Sequence, residues 1–143
     1  MGDAKKAPYA ELTSGSIVNY DYLWRWQHER GENDGRKPRE CVVAIRALVL
    51  DSDTIFMLPI TATPPAPERQ SFELPELEVR RIGRGQVQRL WVIIDELNVD
   101  LVERSFVLRP GSKVGDLSRP VYEALLKNLR ALGAAAVHIN RAE

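Results

Sequence analysis

The run CVVAIRALVL, Cys41 to Leu50, is followed after the polar trio Asp51-Ser52-Asp53 by TIFMLPIT, Thr54 to Thr61. Both runs are rich in β-branched residues, and two such runs separated by a short polar turn close into an antiparallel hairpin. That hairpin sets the class of fold, because its apolar surface has to be buried against further strands or a helix. The apolar even positions Val18, Tyr20, Tyr22, Trp24 and Trp26 alternate with the polar Asn19, Asp21, Arg25 and Gln27, and Leu23 is the exception. A period of two predicts a strand over this stretch.

Downstream, ATPPAPERQ holds too much proline for a central strand or a helix, so a surface loop is expected there, leading to a short extended piece, SFELP. Glu76 to Arg84 predicts about two helical turns ended by Gly83 or Gly85. VQRLWVIIDELN predicts a buried strand that leaves the core at Asp95-Glu96, and RSFVLRPG a shorter one closed by Pro110-Gly111. The pattern then changes period. Ser118 is placed to cap a helix over 119–132, in which Val121, Tyr122, Leu125, Leu126, Leu129 and Leu132 form one apolar stripe stopped by Gly133. Such a stripe serves packing. Five or six short strands with one closing amphipathic helix predict a mainly β fold, a small and partly open β-barrel spanning residues 13–132. Residues 1–12 and 133–143 are expected to be tails.

The 143 residues suffice for one compact domain, which hides roughly two-thirds of the surface its unfolded chain exposes. No apolar run approaches the ~20 residues that span a bilayer, and MGDAKKAPYAELTSG has no apolar secretory core, so a cytoplasmic protein without membrane contact is expected. The single cysteine, Cys41, excludes an intrachain disulfide and reads as a small buried hydrophobe; no Cys/His cluster suggests a metal site, and no cofactor is expected. Twenty basic side chains balance twenty acidic ones. The chain therefore lacks the basic excess that draws duplex nucleic acid, and any nucleic-acid contact has to be local.

Local charge is concentrated in GENDGRKPRECVV, Gly31 to Val43, with Glu32 and Arg39 near its ends. One reading is a solvated loop with a surface ion pair, contributing at most about 1 kcal/mol. The other is a site. Just upstream, WRWQHERGE interleaves Trp24 and Trp26 with Arg25, His28 and Arg30, a composition suited to stacking exposed bases beside a phosphate track that Arg36 and Lys37 would extend. Both tryptophans could equally fill the core. His28 has an ordinary pKa of about 6.5, which suits it to acid or base work, although a solvated loop histidine fits as well.

The pieces GSIVNYDYLW, GENDGRKPRECVV, LPITATPP and WVIIDELN, in this order and followed by a helix, resemble the PemK/MazF-like toxins of bacterial toxin–antitoxin systems. The resemblance covers roughly Thr13 to Leu132. It implies an SH3-like barrel of the CcdB/MazF type, a homodimer, neutralisation by a cognate antitoxin protein, and metal-independent cleavage of single-stranded RNA by the adjacent ribose 2′-hydroxyl. Matched residue by residue, the family's glutamate, arginine and threonine fall on Glu32, Arg39 and Thr61. Cleavage of this kind needs a base for the 2′-hydroxyl, an acid for the departing 5′-oxygen, and donors for the phosphorane. The resemblance thus implies Glu32 as base, Arg39 as an always-charged fork on the phosphate, and Thr61 as one hydroxyl donor. A strand-end threonine can alternatively bond the neighbouring backbone.

The chain departs from the family in two places. Glu40 stands where the family has proline after the arginine, and a carboxylate there is expected to weaken the field of Arg39. Asp95-Glu96-Leu97-Asn98 stands where well-studied members carry an arginine and an aspartate. A competing reading is therefore a non-catalytic binding module or inactive relative on the same barrel, such as a gyrase-type poison of a protein target.

Overall fold

The computed structural model describes residues 9–33, 37–82 and 89–141. Arg36, and the Gly83 and Gly85 offered as alternative helix stops, lie outside the described residues. Three strands, β1 (Ser16–Tyr20), β2 (Arg39–Val49) and β3 (Ser52–Thr61), form an antiparallel meander in which Val18 faces Cys41 and Cys41 faces Pro59. The predicted hairpin is present, but its turn lies one residue earlier than expected. Val49 faces Ser52, and Leu50 and Asp51 both have positive φ, 51° and 67°. A two-residue turn of this hand matches the right-handed twist of the strands it joins. Ser52 and Asp53 therefore belong to β3, where the Asp53 carboxylate accepts 3.0 and 2.7 Å bonds from Arg46 across the ladder.

The remaining strands add to both sides of this meander. β7 (Lys113–Asp116) pairs with β1, while β5 (Trp91–Ile93) and β6 (Glu96–Leu101) share the far edge of β3. Met57 faces Asn98 and Ile60 faces Val92, so three steps along β3 are matched by six on the neighbouring strand, and the surplus bulges at Ile94-Asp95. β4 (Ser71–Glu73) pairs with β5. β8 (Val137–Asn140) runs parallel to β6, the one parallel pair among the described strands. The eight-stranded network does not close into a barrel: among the described residues, β4, β7 and β8 each have one strand neighbour.

Both faces of the meander are covered, which explains why Cys41, Val42, Val43 and Ala44 are buried in succession. One face packs Ile17, Val42, Leu58, Ile60 and Val92 against Val79 of helix α2 (Glu76–Arg81) and Leu125 of helix α3 (Arg119–Leu132). The other packs Val18, Tyr20, Cys41, Val43, Ile55 and Met57 against Leu12, Tyr22, Val102 and Leu108. The α3 stripe and its stop at Gly133, φ 51°, agree with the sequence. Ser118 occupies the N-cap position but its hydroxyl donates to Glu78 Oε1 at 2.9 Å, tying α3 to α2 instead of closing its own first turn. No described helix is long and apolar enough to cross a membrane.

Four expectations are corrected. The strand predicted through Trp26 ends at Tyr20, and residues 25–29 form a short helix, α1 (Arg25–Glu29). Buried acceptors on β6 take the N–H groups of Leu23 and Arg25, and this tertiary pull overrides the alternation. Glu96, expected outside the core, is 3 % exposed and begins β6. RSFVLRPG is not a strand: Val102–Arg104 make a 3₁₀ turn, and Phe106 is solvent-exposed. The tails contribute structure as well, since Leu12 is buried and Val137–Asn140 form β8.

Candidate functional site

Arg39 opens β2 opposite Tyr20 of β1. Along β2, Arg39, Cys41 and Val43 share the face toward the Tyr20 core, whereas Glu40, Val42 and Ala44 point to the other. Glu40, next to Arg39 in sequence, therefore leans away from it, and the expected weakening of the Arg39 field does not follow from adjacency. Extending the β2–β3 register two residues beyond Cys41–Pro59 sets Thr61 opposite Arg39 on the same face. Arg39 Nη1 donates to the carbonyl of Ile60 at 3.3 Å, which pins the guanidinium to the end of β3.

The other side of the guanidinium meets an aromatic surface. Arg39 Cζ lies 5.0 Å from the centre of the Trp24 ring, and Trp24 meets Tyr22 edge-on at 5.1 Å. Stacking of this type holds a cation by the ring quadrupole without consuming its charge. Tyr22, Trp24, Trp26, Gln27, Lys37 and Arg39 line a pocket of about 190 Å³, in which half-buried Arg39 and exposed Lys37 supply positive charge. Trp26 is 44 % exposed, with Arg30 5.6 Å from its ring. It also borders a larger groove of about 460 Å³ toward Arg25, Arg69 and Glu96.

The remaining predicted residues lie around this pocket. Thr61 Oγ1 accepts the Thr63 N–H at 3.1 Å, so its lone pair serves the turn while its hydroxyl proton is left to donate. Glu32 is half-buried directly after α1, held by its own N–H to the carbonyl of Gln27 at 3.0 Å. His28 is exposed on the last turn of α1, and Arg25 pairs with Glu29 on that helix at 2.9 Å. Arg39, Trp24 and Lys37 are thus brought together, while Thr61, Glu32 and His28 stand outside the described lining of the pocket. Cys41 lies beneath Arg39, and burial pushes its thiol far above the usual range, which leaves it an inert packing residue. Among the described residues, no three His, Cys, Asp or Glu side chains gather as a metal-ligating group.

The chain matches no protein-family model and no curated protein.

Behind the pocket lies a polar layer that the sequence reading missed. Glu96 Oε1 accepts the Tyr22 hydroxyl at 3.0 Å and the Arg25 N–H at 2.9 Å, and its Oε2 accepts Arg69 at 2.8 Å. Burial, and then the Glu96 carboxylate, hold the Tyr22 phenol well above its ordinary value, so it remains a neutral donor. Asn98 is fully buried and bonds Leu23, and Arg141 bonds Asn98. The available signal was the acidic and amide side chains inside the otherwise apolar run WVIIDELN, since buried polar groups need partners.

Proposed function

We propose that this protein is a metal-independent endoribonuclease of the PemK/MazF-like toxin kind, cutting single-stranded RNA through its own 2′-hydroxyl and restrained by a cognate antitoxin. The observation that carries the reading is Arg39 tied to the end of β3 by its 3.3 Å bond to the Ile60 carbonyl and braced by Trp24 beside exposed Lys37, with Thr61 the next residue along that strand. Arg39 would bind the non-bridging oxygens of the scissile phosphate and Thr61 would donate one hydroxyl to them; both donors strengthen as the phosphorane forms. Trp24 and Trp26 would stack the flanking bases, which suits single strands because every base presents a π-face. Glu32 would, by the resemblance, take the 2′-proton, and His28 would give a proton to the departing 5′-oxygen. The mainly β sheet with helix α3 supports the coarser part of this reading, and the proposal extends it to a partly open SH3-like barrel that pairs as a homodimer.

The test is incubation of the purified protein with a long RNA of mixed sequence in chelator, followed by mapping of the ends. The reading expects 2′,3′-cyclic phosphate and 5′-hydroxyl ends, with no cut 3′ of a 2′-deoxy nucleotide. RNA left whole would remove it in favour of a binding module, and cuts that ignore the 2′-hydroxyl would remove the proposed mechanism.

A further inference from the structure

Residues 21–33 carry Trp24, Trp26, His28 and Glu32, yet their one helix, α1, has five residues. A helix that short does not stand alone, so its position is imposed from outside. Three buried side chains impose it. Asn98, 0 % exposed, bonds the Leu23 backbone in both directions: its Oδ1 accepts the N–H at 2.8 Å and its Nδ2 donates to the carbonyl at 2.8 Å. Glu96 takes the Arg25 N–H.

Arg141, which follows β8, completes the set. Its Nη1 donates to the carbonyl of Asp21 at 2.7 Å and to Asn98 Oδ1 at 3.0 Å, and its Nη2 reaches the carbonyl of Asn33 at 3.4 Å. The guanidinium lies 5.6 Å from the centre of the Tyr20 ring, and the residue is 9 % exposed. One planar fork therefore touches carbonyls at both ends of the segment and the amide that grips its middle. A lysine ammonium, a point donor, cannot reproduce that geometry. Packing of Arg39 on Trp24 depends on where this segment is held.

We propose that Arg141, acting through Asn98, is a positioning residue of the candidate site: it clamps both ends of residues 21–33 and so sets Trp24 against Arg39. The effect on RNA cleavage rests on the ribonuclease reading, whereas the clamp is a property of the fold and is measurable without RNA.

The experiment is amide hydrogen exchange on the full chain, comparing wild type, Arg141→Ala and Arg141→Lys, with RNA cleavage measured in parallel. In Arg141→Ala the amides of Leu23, Arg25 and Glu32 are expected to exchange roughly tenfold faster or more, while those of Val43 and Met57 keep their wild-type rates. Arg141→Lys should fall between, and it decides alone if the alanine variant does not fold. Cleavage by Arg141→Ala should drop by about a hundredfold, the scale of a ~1 Å misplacement, with partial recovery in Arg141→Lys. Unchanged exchange in the segment overturns the clamp, as does a parallel rise at Val43 and Met57, which would signify global destabilisation. A loosened segment with wild-type cleavage overturns the positioning role. If wild type itself cuts no RNA, the ribonuclease reading fails and the exchange contrast still decides the clamp.

Discussion

Glu96 is the group on which the region behind the pocket most depends. Its side chain is 4 % exposed, and its carboxylate accepts from the Tyr22 hydroxyl, the Arg25 N–H and Arg69. Glu96→Ala removes all three acceptor contacts at once. Two donors are stranded: the buried phenol loses about 1–3 kcal/mol when left unsatisfied, and the part-buried Arg25 N–H loses an amount toward the lower end of that range. Arg69 is 32 % exposed and keeps Asp95, so water and that partner absorb most of its loss. The expected destabilisation is about 3–4 kcal/mol, which lowers Tm by roughly 10 °C in a domain of this size.

Tyr22→Phe, by contrast, removes one donor and leaves Glu96 two others, and should cost about 1 kcal/mol. In the double variant no orphan phenol remains, so the two changes should couple by about 1–2 kcal/mol instead of adding. Urea unfolding at constant m-value measures all three. A Glu96→Ala cost below about 1 kcal/mol, or additivity within about 0.5 kcal/mol, would refute the reasoning.

Further expectations concern the thiol, the hairpin and acid. Cys41 should resist a disulfide reagent at pH 8 in the folded protein and react on unfolding, since burial holds its thiol protonated; rapid native-state labelling would contradict that. Replacing Leu50-Asp51 by Asn-Gly should stabilise the hairpin by about 1 kcal/mol in thermal or urea unfolding, because both positions have positive φ and the Leu50 side chain is 95 % exposed. Burial raises the Asp95 carboxyl, but Arg69 and the Gln70 N–H more than offset it and leave its pKa lowered. A lowered carboxylate stabilises above its unfolded value and loses that contribution as pH falls through the folded one. Asp95→Asn should therefore flatten the decline in stability below about pH 4, and an unchanged acid limb would contradict the pairing.

The hairpin and the α3 stripe were legible because their periods follow from burial of one element against another, Leu125 and Val42 against the same core. Positions 20 to 26 misled for a specific reason. Their alternation is real, and Tyr20 and Tyr22 do enter one core, but the backbone after Tyr22 is held at Leu23 and Arg25 by Asn98 and Glu96, more than 70 residues away in sequence. Arg141 was invisible for the same reason: nothing beside it in sequence signals that its partners are the carbonyls of Asp21 and Asn33. Arg39 and Thr61 were named from a resemblance; Arg39 is tied to the carbonyl of Ile60, the residue before Thr61, and Thr61 lies outside the described pocket lining. Glu40, which looked like a disturbance in one dimension, is separated from Arg39 by the pleat.

The central claim is that Arg39 carries phosphate-stabilising charge in an RNA-cleaving site, and it is tested most directly by comparing initial cleavage rates of wild type and Arg39→Ala in chelator. Both proteins should first be matched in far-ultraviolet circular dichroism and Tm. A preorganised charged donor of this kind is worth about 3–4 kcal/mol in the transition state, so Arg39→Ala should be slower by two decades or more in forming 2′,3′-cyclic ends. Equal rates from the two folded proteins would contradict the account.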